Sequence, residues 1–273
     1  MSQVISTLLI ILIIWAIAIK PRSNHVLLED LRQFLYAHRG FHSRSTGIPE
    51  NSIAAFKKAV DNGWGAELDV HLTTDGRRAV IHDSNLMRTC GVDAVVEELS
   101  SEQLSEYRLE GTEERIPFLE DVLPIFEGKT PLIIELKVEK GNYRELCWAA
   151  SELLKDYKGL YCIESFHPMA VKWYHDKQPD VVRGQLACRL RKGGSDINFF
   201  ADFLLQNLLL NFMTRPDFIA YRYTDRNNLS FRLCRYLFKA QEASWTVTDI
   251  DTQHALETEN SMIIFEQYNP NKE

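Results

Sequence analysis

The sequence predicts an α/β barrel of parallel strands, in preference to an open sheet, with a long insertion after its third strand. Three observations point there. Short β-rich runs alternate with longer helical patterns over almost the whole chain. The length of 273 residues suits one barrel of about 250 residues as well as it suits two small domains. Histidines and carboxylates also recur at or near the ends of the predicted strands, where barrels collect their chemistry.

Residues 1–19 carry no charged side chain, and 8–15 are almost purely aliphatic. A membrane-spanning helix needs about 20 largely apolar residues, with about 17 near the lower limit. Lys20 and Arg22 follow at once, and no positive charge precedes the run as a cleaved signal would require. The expectation is an uncleaved single-pass anchor over 1–22, with the positive charges holding the rest of the chain on the cytoplasmic side. Residues 23–33 read as a linker, partly a short amphipathic helix, and 34–273 as the barrel. Candidate strands are 34–38, 66–70, 79–82, 132–138, 161–166, 181–187, 218–221, 244–247 and 262–265. Candidate helices include 52–62, 143–154, 168–177 and 199–213. Nine strands are one more than a barrel needs, so one is peripheral. The link from Val70 to Ala79 is too short for a helical crossover of a dozen or more residues. Those two strands form either a hairpin or an irregular crossover. Residues 84–129 show no strong strand signal and read as an insertion over one face. The run 199–213 has one charge, Asp202, and apolar positions beyond a single helical stripe. It fits a helix buried in the barrel wall or one that touches a bilayer.

Apolar residues make up 45% of the chain and charged residues 25%, an ordinary globular composition that excludes disorder. A net charge of −7 with no Lys/Arg block excludes a nucleic-acid partner. Five cysteines, odd in number, widely spaced and without a CxxC, argue against a disulfide framework and a zinc site. They are expected to be reduced and mostly buried.

The chemistry begins at Glu67-Leu68-Asp69-Val70. Alternate strand residues share a face, so Glu67 and Asp69 point together while Leu68 and Val70 point away. Glu135-Leu136-Lys137-Val138 repeats the pattern. Burying adjacent carboxylates is costly unless a cation joins them. Three carboxylates with a lysine suggest a hard divalent ion, Mg²⁺ or Ca²⁺. The alternative is two ordinary strands with a polar face toward solvent. His38 and His82 each close a predicted strand, and Arg39-Gly40 follows the first. Gly40 permits a sharp turn, from which the planar Arg39 guanidinium could reach a phosphate. Pro49-Glu50-Asn51-Ser52 opens a helical pattern; Asn51 or Ser52 suits an N-cap, and Glu50 and Asn51 lie where helix starts commonly hold anions or metals.

These motifs together resemble the glycerophosphodiester phosphodiesterase family. They are His38-Arg39-Gly40, Pro49-Glu50-Asn51-Ser52, Glu67-Leu68-Asp69-Val70, Thr74-Asp75-Gly76, Val80-Ile81-His82-Asp83, Arg88-Thr89 and Ile116-Pro117-Phe118-Leu119-Glu120. Glu135-Leu136-Lys137, Ser165-Phe166-His167-Pro168 and Trp245-Thr246-Val247 continue the series. The resemblance implies a TIM (β/α)8 barrel that cleaves glycerophosphodiesters to glycerol 3-phosphate and an alcohol. It implies His38 and His82 as the acid/base pair, Arg39 and Lys137 as phosphate ligands, and Trp245 as a substrate contact. It implies Glu67, Asp69 and Glu135 as metal ligands with Glu50 supporting the metal. It also implies that 79–82 runs parallel to 66–70, and that the insertion selects substrate. The chain departs from the family at Ser52, where threonine is usual, and at Thr248, where asparagine is frequent. Ile263 to Tyr268 replaces the usual closing Thr-Asp pair.

An imidazole titrates near pH 6.5 and can move a proton either way near neutrality, which suits His38 and His82 to the acid/base roles. Three activities are therefore weighed: metal-dependent hydrolysis of small glycerophosphodiesters, lysophospholipase D action on a lipid-derived substrate, and a membrane-tethered barrel without turnover. The full set of charged residues disfavours the last. The oligomeric state and the origin of the nucleophile, a substrate hydroxyl or water, are left open.

Overall fold

The computed structural model describes residues 2–22, 25–191 and 197–271. Nine strands are present among the described residues: β1 (Leu35–His38), β2 (Gly65–Leu72), β3 (Arg78–Val80), β4 (Leu132–Leu136), β5 (Tyr161–Ser165), β6 (Arg183–Ala187), β7 (Phe218–Arg222), β8 (Gln241–Val247) and β9 (Met262–Phe265). Eight of them pair in parallel in the order β1-β2-β4-β5-β6-β7-β8-β9, and β9 returns to β1 to close the barrel. The apolar alternates Leu68, Val70, Ile134 and Leu136 face outward into the main core with Phe56, Val122, Phe126 and Leu146. That arrangement leaves Glu67, Asp69 and Glu135 facing inward.

The extra strand is β3. It pairs antiparallel with β2, Val70 opposite Val80 and Leu72 opposite Arg78. The parallel direction implied by the family resemblance is therefore corrected: the short link is a hairpin turn, with Thr73 N–H bonded to the Arg77 carbonyl and Gly76 at φ +81°. A glycine is needed there because other residues rarely adopt positive φ.

The helices are α1 (Ser2–Ile19), α2 (Leu28–Leu31), α3 (Ile53–Asp61), α4 (Met87–Cys90), α5 (Ser101–Leu104), α6 (Leu119–Phe126), α7 (Tyr143–Leu154), α8 (Pro168–Lys177), α9 (Phe199–Gln206), α10 (Asn211–Thr214), α11 (Leu229–Tyr236) and α12 (Ile250–Glu257). The insertion carries α4 and α5 and packs its own small core on β3 from Ile81, Leu86, Val96, Leu104, Leu109 and Ile116. Its expected end at residue 129 is too late, because α6 packs against α3 and buries Leu119, Val122 and Phe126 in the barrel wall. The single helix expected over 199–213 is two, broken where Leu208 takes φ +56°.

The stretch read as a linker is part of the barrel. Leu28 and Leu31 are buried beneath the strand starts with Tyr36, Ile133, Cys162, Val182, Phe218 and Met262, and the Tyr36 hydroxyl donates to the Leu31 carbonyl at 2.6 Å. These residues close the floor; Ser23 and Asn24, also in that stretch, lie outside the described residues.

The expected membrane-spanning helix is corrected as well. Among the described residues no helix is long and apolar enough to cross a membrane. The 18 residues of α1 rise by about 27 Å, against a hydrocarbon core of about 30 Å. The end of α1 is also committed to protein, with Ile19 fully buried against Leu208, Ile219, Phe231 and Cys234 and with Trp15 packed alongside. All five cysteines are free, and all but Cys90 are buried.

Candidate active site

The rim at the strand ends holds the predicted residues. At the end of β1 the chain turns sharply: Arg39 has φ +56° and Gly40 φ +77°. A side chain at Gly40 would meet the backbone and side chain of Ala55 at 2.9 Å, so the turn sits directly on α3. The Arg39 N–H donates to Glu67 Oε2 at 3.1 Å, and the Arg39 carbonyl accepts from Asn51 N–H at 2.9 Å. Asn51, itself at φ +53°, donates from Nδ2 to Asp69 Oδ2 at 2.9 Å. The helix-start motif thus ties the β1 turn to the β2 carboxylates. Ser52 caps α3, accepting from Ala55 N–H at 3.1 Å.

Glu67, Asp69 and Glu135 are all buried and offer one oxygen each within 4.8 Å of one another. At an effective dielectric of about 20, two unit charges about 4 Å apart repel by roughly 4 kcal/mol, so such a cluster requires positive partners. Lys137 supplies one, with Nζ 2.9 Å from both Asp69 Oδ1 and Glu135 Oε2. Arg39 supplies another, with Nε 3.5 Å from Asp69 Oδ2. Burial, then Asp69 and Glu135, push the Glu67 carboxyl well above its usual range. Burial also raises Glu135, against the pull of Lys137. For Asp69 burial is outweighed by Lys137, His82 and Arg39, which hold it well below the ordinary value. A fourth carboxylate, Glu164, stands beside Glu135 across β4 and β5, buried, with Oε2 unpartnered. This oxygen-only donor set fits a hard divalent cation.

Both histidines face the same cavity, of about 260 Å³, together with Arg39, Glu67, Glu135 and Lys137. His38 Nδ1 lies 3.1 Å from Glu266 Oε2, and His42 Nε2 lies 3.2 Å from Glu266 Oε1. Burial lowers the His38 pKa despite the Glu266 hydrogen bond. Burial would raise Glu266, but its hydrogen bonds from His38 and His42 carry it far below the usual carboxylate range. His82 Nδ1 lies 2.6 Å from Asp83 Oδ1. Asp83 in turn pairs with Arg88 Nε. Beneath His82, buried His71 bonds the His82 carbonyl through Nε2 at 3.1 Å and Glu97 of the insertion through Nδ1 at 2.5 Å.

The remaining predictions divide. Trp245 lines the cavity opposite the acidic cluster, beside Phe166, Leu186, Leu190 and Ile264, with its buried indole N–H unpartnered. Glu50 does not join the carboxylate cluster. It is held by Arg39 at 2.9 Å and by both Arg88 terminal nitrogens at 2.8 and 2.6 Å, so its charge is spent on arginines. Sequence reasoning gave no role to Glu266, Glu164, Asp83, Arg88 or His71. Asp83 and Arg88 lay inside recognised motifs. Glu266 had no local signal, because only closure of the barrel brings β9 beside β1.

Fold and cavity define a (β/α)8 barrel whose rim pairs a carboxylate cluster able to hold a metal ion with two histidines. The family described as "Glycerophosphoryl diester phosphodiesterase family" matches residues 38–191, and the chain belongs to it. A glycerophosphodiester phosphodiesterase of Bacillus altitudinis is 34% identical over 161 residues, 54% of this chain and 63% of that protein. Lysophospholipase D GDPD1 of Rattus norvegicus is 36% identical over 140 residues, 46% of this chain and 43% of that protein. The chain thus matches roughly half the length of these relatives. An Oleispira antarctica phosphodiesterase, solved with the product sn-glycerol-3-phosphate, shares the fold with a TM-score of 0.71 at 22% identity, covering 90% of this chain and 96% of the other. A Thermotoga maritima glycerophosphodiester phosphodiesterase shares it at 0.66 and 24%, covering 85% and 93%.

Proposed function

We propose that this barrel hydrolyses glycerophosphodiesters to glycerol 3-phosphate and an alcohol. The observation that carries the reading is the buried Glu67–Asp69–Glu135 cluster, flanked by Lys137 and Arg39 and faced by two histidines across one cavity. Glu67, Asp69 and Glu135 would hold a divalent cation, Mg²⁺ or Ca²⁺, which when bound neutralises phosphoryl charge. Lys137 and Arg39 add fixed positive charge for the phosphoryl oxygens in a site shielded from water, where it acts most strongly. With Nδ1 of each imidazole directed at a carboxylate, Nε2 is the nitrogen that exchanges protons. One histidine takes the proton of the attacking hydroxyl or water, and the other protonates the leaving alcohol oxygen. Glu266 and Asp83 hold the two rings in that tautomer. A panel of glycerophosphodiesters, assayed for glycerol 3-phosphate release with Mg²⁺, Ca²⁺ or chelator, tests the proposal. No release from any member with either metal would overturn it.

A second reading, lysophospholipase D action, is favoured by the apolar half of the cavity. Phe166, Leu186, Leu190, Trp245 and Ile264 offer more apolar wall than a small polar alcohol uses. We also propose that the barrel is membrane-associated through α1, whose side chains from Gln3 to Ile14 are exposed and mostly aliphatic. Membrane fractionation of the full chain, with and without residues 1–14, tests this: loss of the membrane-bound fraction on removal is expected, and an unchanged distribution would overturn it.

A further inference from the structure

The direction in which α1 docks on the barrel has a consequence for the mouth of the cavity. Helix α11 leaves the rim after β7, whose last residue, Arg222, lines the cavity. Trp15 donates its indole N–H to Ser230, in the first turn of α11, at 3.1 Å. One turn further along α1, the Ile19 carbonyl accepts from Cys234 Sγ at 3.2 Å and from Asn211 Nδ2 at 2.9 Å. Arg22 then reaches the start of β7, with its N–H on the Pro216 carbonyl at 2.9 Å and Nε on Asp217 at 2.8 Å. So α1 descends from rim to floor, and its described part before Trp15 projects beyond the catalytic end. At 1.5 Å per residue the part from Val4 to Ile14 extends roughly 16 Å. Its large apolar side chains are 52–64% exposed on every side of the helix.

Beside this projection lies α9, which also starts at the rim. Leu190, a cavity residue, donates its N–H to Asp202 Oδ1 at 3.1 Å. Asp202, the one charge between residues 199 and 213, is therefore turned inward and buried. The outward face carries Phe199, Phe200 and Phe203, exposed by 71, 67 and 44%. Leu208 and Leu209, just after α9, pack with Ile19 and Trp15, which joins the two apolar surfaces. Three aromatic rings held in water on one helix face mark a surface that gains by being covered.

We propose that the projecting part of α1 and the phenylalanine face of α9 rest in one lipid bilayer surface. The catalytic mouth then faces lipid and takes lysophospholipid from it. The lysophospholipid part of this inference rests on the phosphodiesterase reading of the site; the orientation on lipid does not. The bilayer is favoured over a protein partner because α1 presents aliphatic side chains on all sides rather than one stripe, a pattern that suits end-on insertion into lipid better than packing on one protein surface.

Two measurements on the full-length chain with phosphatidylcholine–phosphatidylglycerol vesicles decide it. In the first, Phe200→Trp adds emission over the unaltered chain, and brominated lipid is expected to quench that increment by at least about half. An unquenched increment overturns the orientation. In the second, the combined Phe199→Ser, Phe200→Ser and Phe203→Ser variant should lose at least about tenfold in turnover of vesicle-borne lysophosphatidylcholine. Its turnover of soluble glycerophosphocholine should stay within about twofold, since no altered residue lines the cavity. Equal loss on both substrates, or loss on neither, overturns the proposal. So does a dimer of the unaltered chain that the serine variant dissociates. If the unaltered chain cleaves neither substrate, the functional reading fails, and the quenching result still decides the orientation.

Discussion

From β1 to β4 the cavity wall is charged or titratable: His38, Arg39, Glu67, His82, Glu135 and Lys137. From β5 to β9 the wall is mainly Phe166, Leu186, Leu190, Trp245 and Ile264, with Glu164, Cys188 and Arg222 among them. The two halves are held in different ways. In the charged half almost every functional group is braced by another charge, as in the chains His38–Glu266–His42 and His82–Asp83–Arg88–Glu50–Arg39. The far half is held by ring contacts: Phe166 meets Trp245 edge-on at 5.7 Å, and the Arg222 guanidinium lies 5.4 Å from the Trp245 ring. Phosphate chemistry is the same whichever alcohol leaves, so it suits fixed electrostatics. Alcohol selection suits a wall whose shape can vary without disturbing that network.

The sharpest way to break this division is to alter the charged half and vary the alcohol. Glu67→Gln, Asp69→Asn and His82→Ala should each lower kcat/KM by about 10²–10⁴-fold, by the same factor for alcohols of similar acidity. Chelation should abolish turnover, and Mg²⁺ or Ca²⁺ should restore it. Steady-state kinetics on three or more alcohols of similar acidity and different shape check this. A loss that depends strongly on the alcohol would mean that the halves are not separate.

A smaller effect is expected at Glu266. Replacing it with Gln keeps the shape but removes the charge that orients His38, for an expected loss of about tenfold in kcat. The pH dependence gives a second readout. Glu266 pulls the His38 pKa upward against burial, so its neutralisation should move the acid limb of the kcat/KM profile to lower pH. Its own pKa is depressed in the folded chain. The stability it contributes is therefore present above the unfolded value of about 4.3 and is lost as pH falls below it. Thermal melting of Glu266→Gln should show less acid dependence in that window. An acid limb that moves upward would contradict the assigned pairing.

In the apolar half, Trp245→Ala should act on binding. About 1 kcal/mol of lost contact corresponds to a KM increase of roughly fivefold, with kcat within about threefold. The size of the increase should differ between alcohols. A kcat collapse with unchanged KM would place Trp245 in the charged machinery instead.

The charged half was legible in the sequence because its ligands come in pairs on single strands, where a period of two fixes which side chains share a face. Glu67 with Asp69 and Glu135 with Lys137 needed no tertiary information. Glu266 was invisible because its partners His38 and His42 lie more than 220 residues away and meet it only when β9 closes on β1. The partners of Glu50 were invisible for a related reason. Arg88, which meets both of its oxygens, arrives from the insertion and gives no signal in the helix-start motif. The β3 hairpin was one of two readings the short link allowed, and the resemblance chose the other. The bending of residues 25–32 under the barrel could not be read from an amphipathic pattern, which marks a buried face but not what buries it.

Ser52 marks the edge of the charged half and gives the smallest expected effect. Its Oγ accepts from Ala55 N–H and donates to the Pro49 carbonyl at 2.7 Å. Those bonds pin both ends of the turn that carries Glu50 and Asn51, and Asn51 holds Asp69. If the hydroxyl only caps α3, Ser52→Ala should cost about 1 kcal/mol. In a barrel of this size that lowers Tm by roughly 2–4 °C. Turnover should then change by less than about twofold, because the backbone bond from Asn51 N–H to the Arg39 carbonyl still fixes the turn. Thermal melting and kcat measured on the same preparation separate the two roles. A kcat loss of about tenfold with a Tm shift of only a few degrees would show that the cap also sets the register of the phosphate-binding turn. The charged half would then extend one residue further into α3 than its ion pairs indicate.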